Sequence, residues 1–287
     1  MSKLFDEIQK ASQRVRKPDR TDVDVPSMVD TLRRGATSNE EIGDVRLQRF
    51  RHVNIGTPGN NLPLILRKEK DAEQVALEAY RSLRTRLMFL QATLGFRSFA
   101  FTSSVPNEGK TWTVANLGLC YSQLVDQRVL IVDADLRTRG LSKELGHPEN
   151  VGLRDLLAGQ AAPQAAVLGT NHPNLFLLPA GTVSNSSADP TQLFTGSAWQ
   201  EFLDWCRETF TTVLIDTPPV LPVADFELIS AACDAAAFVI RSGKVDLETL
   251  QKALASVDPK KIVGVVLNAA DRRKKRYYGY VGRYYGD

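Results

Sequence analysis

Three short stretches hold side chains that could do phosphate chemistry together. The first is Gly109-Lys110-Thr111 within "FTSSVPNEGKTWTVANLG", which follows an apolar strand pattern and opens a helix pattern. It matches the end of a phosphate-binding loop, with Ser104 five residues before Gly109 where the common motif has glycine. In such a loop the backbone N–H groups and the helix N-terminus face the phosphates. Lys110 places a point charge on the β- and γ-phosphates, and Thr111 offers a hydroxyl to Mg²⁺. The second stretch, "VLIVDADLR", ends four apolar residues in Asp133, followed by Asp135 and Arg137. The third, "TVLIDTPPV", ends an apolar run in Asp216. In a parallel sheet the strand C-termini face the ligand crevice. Asp133 and Asp135 alternate across the strand end and need not point alike. One could approach the metal or the attacking hydroxyl while the other holds the metal's waters. Each acid alone would serve equally well as a helix N-cap. The three features in order point to a nucleotide site.

These residues need strands and helices in alternation to position them, and the pattern supplies both. Strand candidates from Phe99 onward are "SFAFTS", "RVLIVDAD", "NLFLLPAG", "TTVLIDTPP", "AAAFVIRSG" and "IVGVVLNAA". Helix candidates lie at about 110–123, 138–145, 152–158, 197–209, 223–232 and 246–256. Several strands are apolar without alternation, as in a parallel sheet covered on both faces. The spacing predicts an α/β, doubly wound, mostly parallel sheet over residues 71–270. "DAEQVALEAYRSLRTRLMFLQA" leads into it as a long helix. Before it, residues 1–70 read as a short amphipathic helix over 3–16 and a polar linker from Pro18 to about Pro63.

Residues 271–287 have no helix or strand period and read as a disordered tail. It opens with five consecutive basic residues, Arg272 to Arg276, and holds five of the chain's seven tyrosines: Tyr277, Tyr278, Tyr280, Tyr284 and Tyr285. Either it is a basic tail that binds a membrane or nucleic acid, or the phenols themselves are the point. With six basic and two acidic residues the tail carries +4, which leaves the rest of a +3 chain near −1. The body therefore has no footprint for duplex DNA, and no nucleic-acid partner is expected. Three scattered cysteines and three scattered histidines form no metal-ligand spacing, disulfide framework or triad. No run approaches the ~18 apolar residues of a membrane span, and the N-terminus is no secretion signal. A cytoplasmic location is expected, with any membrane link made through a partner or a surface contact.

The chain resembles the bacterial tyrosine kinases of the polysaccharide-biosynthesis autokinase type, in their cytoplasmic kinase form, over about residues 72–287. The resemblance rests on the Walker A-like "SSVPNEGKT", the Walker A′ "VLIVDADLR", the Walker B "VLIDTPP" and the tyrosine cluster. It also rests on "EAYRSLR", which fits an E-x-x-R-x-x-R pattern at Glu78, Arg81 and Arg84. It implies a P-loop ATPase fold shared with partition and division-site ATPases, and ATP with Mg²⁺ as cofactors. Those ATPases carry a signature lysine where this chain has Val105, which favours the kinase branch. By resemblance, Ser104, Asn107, Glu108, Gly109, Lys110 and Thr111 cradle the nucleotide. Thr111, Asp133 and Asp216 hold the metal, Asp133 is also the base, and Asp135 supports the metal. Asn107 stands where many such kinases have glycine, and asparagine tolerates the left-handed conformation. Trp112 packs beside the nucleotide or in the core, the core being favoured. Asn268 reads adenine or forms a turn. Glu78, Arg81 and Arg84 are a ring contact or exposed helix pairs. The activity implied is autophosphorylation of the tail in trans, in exopolysaccharide or capsule synthesis. A transmembrane chain-length regulator and a phosphotyrosine phosphatase are the implied partners. The alternative is an ATPase switch or scaffold without kinase activity.

Overall fold

The computed structural model describes residues 50–55, 71–148, 150–182 and 189–270. The expected helix over 3–16, most of the linker and the tyrosine tail lie outside these residues. The first part of the chain runs β1 (Arg51–Val53), α1 (Asp71–Leu94), β2 (Ser98–Thr102), α2 (Lys110–Ser122), β3 (Val129–Asp133), α3 (Gly140–Glu144), α4 (Leu153–Leu157) and α5 (Pro163–Ala166). It continues through β4 (Leu168–Thr170), β5 (Leu175–Leu178), α6 (Pro190–Leu193), α7 (Ala198–Thr209), β6 (Thr212–Asp216), α8 (Asp225–Ala232), β7 (Ala235–Arg241), α9 (Leu247–Ala255) and β8 (Ile262–Asn268).

The eight strands form one sheet in the order β1-β4-β5-β3-β6-β2-β7-β8. Every pair is parallel except β4 with β5. All five residues of β2, β3 and β6 are buried, because helices cover both faces and leave no polar side to alternate with. Alternation still sorts the side chains. Leu130 and Val132 enter one core with Trp199, Phe202 and Phe226. Val129, Ile131 and Leu214 enter the other with Leu87 and residues of α2. The long helix α1 ends at Gly95, whose left-handed φ of 70° lets its N–H cap the Gln91 carbonyl at 3.0 Å.

At the end of the sheet remote from the strand C-termini, Asp234 joins β2, β7 and α7. Its Oδ2 accepts the N–H groups of Arg97 and Ser98, both at 2.8 Å, and the Ser98 hydroxyl at 2.9 Å. Arg207 closes on Oδ1. Burial alone would raise this carboxyl; the Arg207 bond and the N–H groups outweigh it and hold it below the usual range.

Residues 50–55, which the sequence places in the linker, belong to the domain. Phe50 packs against Phe176 and Phe210 at ring-centroid distances of 5.5 and 6.3 Å. Its neighbours form β1 at the sheet edge, parallel to β4. A three-residue strand is too short to show a period, and its partner lies far along the chain. The same shortness hides β4, α5 and α6 from a periodicity reading.

Candidate active site

The loop between β2 and α2 is built from two left-handed residues around a buried glutamate. Asn107 has φ 63° and Gly109 φ 96°, so the asparagine does adopt the conformation expected of it. Position 109 must be glycine for a second reason: a Cβ there would lie 2.0 Å from the Asn268 amide nitrogen. Glu108 is fully buried. Its Oε2 accepts the Val105 N–H at 3.0 Å and its Oε1 the Arg241 N–H at 3.2 Å. Both carboxylate oxygens are thus engaged by backbone, and the side chain staples the loop to the end of β7. Lys244 Nζ donates to the carbonyls of Pro106 at 2.8 Å and Asn107 at 3.3 Å. Asn268 Nδ2 donates to the Glu108 carbonyl at 2.9 Å, while its Oδ1 accepts the Ala269 N–H at 2.8 Å. Asn268 therefore both forms the turn and clamps the loop.

Lys110 opens α2 and is buried. Asp133 and Asp216 are register partners on β3 and β6. Alternation puts Asp133 on the side of Val129 and Ile131, and Asp216 on the side of Leu214, which is the side that α2 covers. The two carboxyl groups are thus neighbours in a dry place beneath the loop. Asp133 Oδ2 accepts the Ser142 N–H at 2.7 Å and the Ser142 hydroxyl at 2.6 Å. Asp133 Oδ1, both oxygens of Asp216 and the Ser104 hydroxyl are buried with no hydrogen-bond partner among the described residues. The Thr111 hydroxyl lies beside Asp216 without closing a bond of ordinary geometry. Burial, then the Asp216 charge, pushes Asp133 up to about 8 against the pull of Ser142. Burial pushes Asp216 up to about 7 against the pull of Lys110 and Thr111. Asp135, also buried, lies in the next turn, near enough for its charge to raise both acids further, and its Oδ1 accepts the Thr138 N–H at 3.0 Å.

Such orphaned, clustered carboxyl oxygens next to a lysine fit a divalent cation with a phosphate chain. Among the described residues no group of three or more His, Cys, Asp or Glu side chains forms a cation cage. Mg²⁺ needs none, since it takes one or two carboxylates, phosphate oxygens and waters. The residues present therefore suit it.

Other expected site residues separate. Trp112 is half-buried and belongs to neither core cluster, contrary to the favoured core placement; it follows Thr111 on the first turn of α2. Glu78 and Arg81 pair with each other on the exposed face of α1. Arg84 turns inward instead, where its Nη1 donates to the Cys120 carbonyl at 2.6 Å. The sequence reading assigned no role to Ser142, Lys244 or the Arg137 network. Arg137 Nε donates to Asp225 Oδ2 at 2.8 Å and its Nη2 to Asp189 Oδ1 at 3.0 Å, fixing the turn that carries Asp135. Its place two residues after Asp135 was the one signal available.

Comparison with known proteins shows what this arrangement is similar to. No protein-family model matches the chain. It is 31% identical over 207 residues to the tyrosine-protein kinase YwqD of Bacillus subtilis, across 71% of this chain and 86% of that one. It is 34% identical over 211 residues to the tyrosine-protein kinase wzc of Salmonella typhimurium, covering 72% of this chain but only 29% of wzc. The kinase domain of Escherichia coli tyrosine kinase ETK superposes with a TM-score of 0.67 at 25% identity, over 78% of this chain and 87% of that one.

The acid pair gives a stability test. Both carboxyls keep their protons to higher pH in the folded chain than in the unfolded one, so unfolding releases protons above pH ~4. Stability of the ligand-free protein is fully present below that pH and falls as pH rises through about 7 to 8. The Asp133→Asn/Asp216→Asn variant should melt several degrees higher at pH 8, at ~2–4 °C per kcal/mol, and show a flatter profile. Parallel melting curves from pH 5 to 8 would contradict this.

Proposed function

The chain belongs to the bacterial tyrosine-protein kinases, and from that premise we propose that it phosphorylates its own C-terminal tyrosines with ATP and Mg²⁺. The observation that carries the reading is the pair of neighbouring carboxyls, Asp133 and Asp216, with partnerless oxygens, and Lys110 at the head of α2 close enough to Asp216 to act on its charge. Bound Mg²⁺ and ATP supply the phosphoryl group and the positive charge that offsets the charge developing on it. Lys110 and the loop N–H groups hold the phosphates. Thr111 and Asp216 hold the cation together with Asp133. With a cation held by these residues, Asp133 and Asp216 would be favoured in their ionised form. Asp133 Oδ1 is then the atom to which the incoming phenol gives its proton.

The acceptor has to come from the tail. The two tyrosines outside it are packed against α1 and α2. Tyr121 is fully buried, its hydroxyl bonded to Gln91 Oε1 at 3.2 Å. Tyr80 is largely covered, with hydrogen bonds to Thr113 and Asn116. Tyr277, Tyr278, Tyr280, Tyr284 and Tyr285 lie at the end of the chain, and several phenols on one segment can reach a neighbouring copy's site. Phosphotyrosine in the purified protein, mapped by mass spectrometry, tests this. Lys110→Met and Asp133→Asn should each cut tail phosphorylation by about 10²-fold or more. Persistence in both variants would remove the site assignment. ADP formation without phosphotyrosine would favour an ATPase switch instead.

The assembly we propose is a ring-like homo-oligomer that loosens on phosphorylation. Each phosphate adds about −1.5 to −2 charge to a tail that starts at +4. Of the three expected contact residues, Glu78 and Arg81 are exposed on α1, whereas Arg84 is spent within its own chain. Arg81→Ala should therefore lower the mass seen by light scattering, and Arg84→Ala should lower the melting temperature. Equal masses for phosphatase-treated and ATP-treated protein would end the coupling idea.

Among the described residues no helix is long and apolar enough to cross a membrane. We assign the membrane link to a transmembrane chain-length regulator that binds and activates the chain in exopolysaccharide or capsule synthesis, with a phosphotyrosine phosphatase resetting the tail. Removing residues 1–20 should reduce co-fractionation with membranes from cells. Unchanged co-fractionation would take residues 3–16 out of that contact and leave the kinase reading intact.

A further inference from the structure

Asp133 is held by one residue, and the manner of holding decides which of its oxygens is offered. Ser142, on α3, is 1% exposed and bonds Asp133 Oδ2 twice, through its N–H at 2.7 Å and its hydroxyl at 2.6 Å. The hydroxyl has a single proton. Its oxygen accepts the Ala180 N–H at 2.8 Å, so that proton is left for Asp133. Ala180 cannot easily shift. The Pro179 carbonyl accepts the Leu153 N–H at 2.8 Å, and the Ala180 carbonyl accepts the Arg154 N–H at 2.9 Å. Gly152 packs so closely here that a Cβ would lie 2.1 Å from the Pro179 carbonyl oxygen. A rigid backbone segment at the end of β5 therefore aims the serine, and the serine aims the aspartate. Oδ1 is left as the unpartnered oxygen.

We propose that Ser142 is a positioning residue for phosphoryl transfer: it locks Asp133 by Oδ2 and so presents Oδ1 to the reacting phenol. The proposal rests on Asp133 acting as the base. A serine that merely satisfied a buried carboxyl would affect folding and little else. A positioning serine affects the rate of transfer in a protein that still folds and still binds nucleotide.

The test compares Ser142→Ala and Ser142→Cys with Asp133→Asn in the full chain. Ala removes the hydroxyl, and Cys nearly keeps its volume with a weaker donor. Three quantities are measured: the melting temperature without ligand, the affinity for ADP by direct binding, and kcat with KM for ATP. We expect kcat to fall about tenfold or more in both serine variants, a loss of the size seen for single positioning hydrogen bonds. KM and ADP affinity should stay within about twofold. Wild-type kcat in a folded serine variant, alongside an inactive Asp133→Asn, overturns the positioning role alone. So does a kcat loss matched by an equal loss of ADP affinity. Wild-type activity in Asp133→Asn instead removes the base assignment, and the role of Ser142 with it.

Discussion

Two carboxyl groups buried side by side, Asp133 and Asp216, set the terms for the rest of the domain. Charged acids at such a spot are costly, because burial and mutual repulsion both disfavour ionisation. Their raised pKa values record that cost. It is tolerated because each acid ends a strand whose neighbours are fixed. Asp133 and Asp216 stay in register because β3 and β6 pair over five residues, and the Ala134 N–H then bonds the Asp216 carbonyl at 2.8 Å. Cores on both sides of the sheet keep those strands from sliding. The site is therefore a consequence of the sheet's rigidity, and α2 with Lys110 is the lid that gives the acids a counter-charge.

The loop above them is held as firmly by other means. Its two left-handed residues expose backbone N–H groups, and such a turn would relax if left alone. Glu108, Lys244 and Asn268 prevent this from inside, from the β7–α9 turn and from the end of β8. Strands β7 and β8 thus brace the loop proposed to bind phosphate without providing a ligand. Asn268 lies two residues before Ala270, where the described chain ends, so that end sits beside the loop.

Much of this was legible from residues in order. An apolar run ending in an acid, seen twice, places a carboxyl at a strand C-terminus, and Gly109-Lys110-Thr111 after a strand places a lysine at a helix head. The family followed from these with the tyrosine cluster. The staples were harder. Glu108 looks like a loop residue facing nucleotide, and only its two backbone partners show it facing the protein. Nothing about Ser142 in "LSKELG" marks it, because its partners Asp133 and Ala180 lie 9 and 38 residues away. Arg84 shares a helical stripe with Glu78 and Arg81, yet packing against α2 draws it inward. The sequence shows which residues share a face; it does not show where that face meets another element.

The edge strand β1 depends on chain that is made much later. Ile55 bonds its N–H to Asn171 Oδ1 across 116 residues of chain, and among the described residues β4 is the one strand beside β1. At ~5–20 residues per second, a ribosome needs roughly 6 to 23 s to make that stretch. Throughout that interval Phe50 and Ile55 have been made but their seats on β4, β5 and α7 have not. The central sheet waits in the same way, since β2 pairs with β6 and β7 across loops of similar length, and closing such loops is entropically slow. The nascent chain thus carries Phe50 and Ile55 uncovered until β4, β5 and α7 have been made, and completing this sheet edge depends on residues far downstream of it.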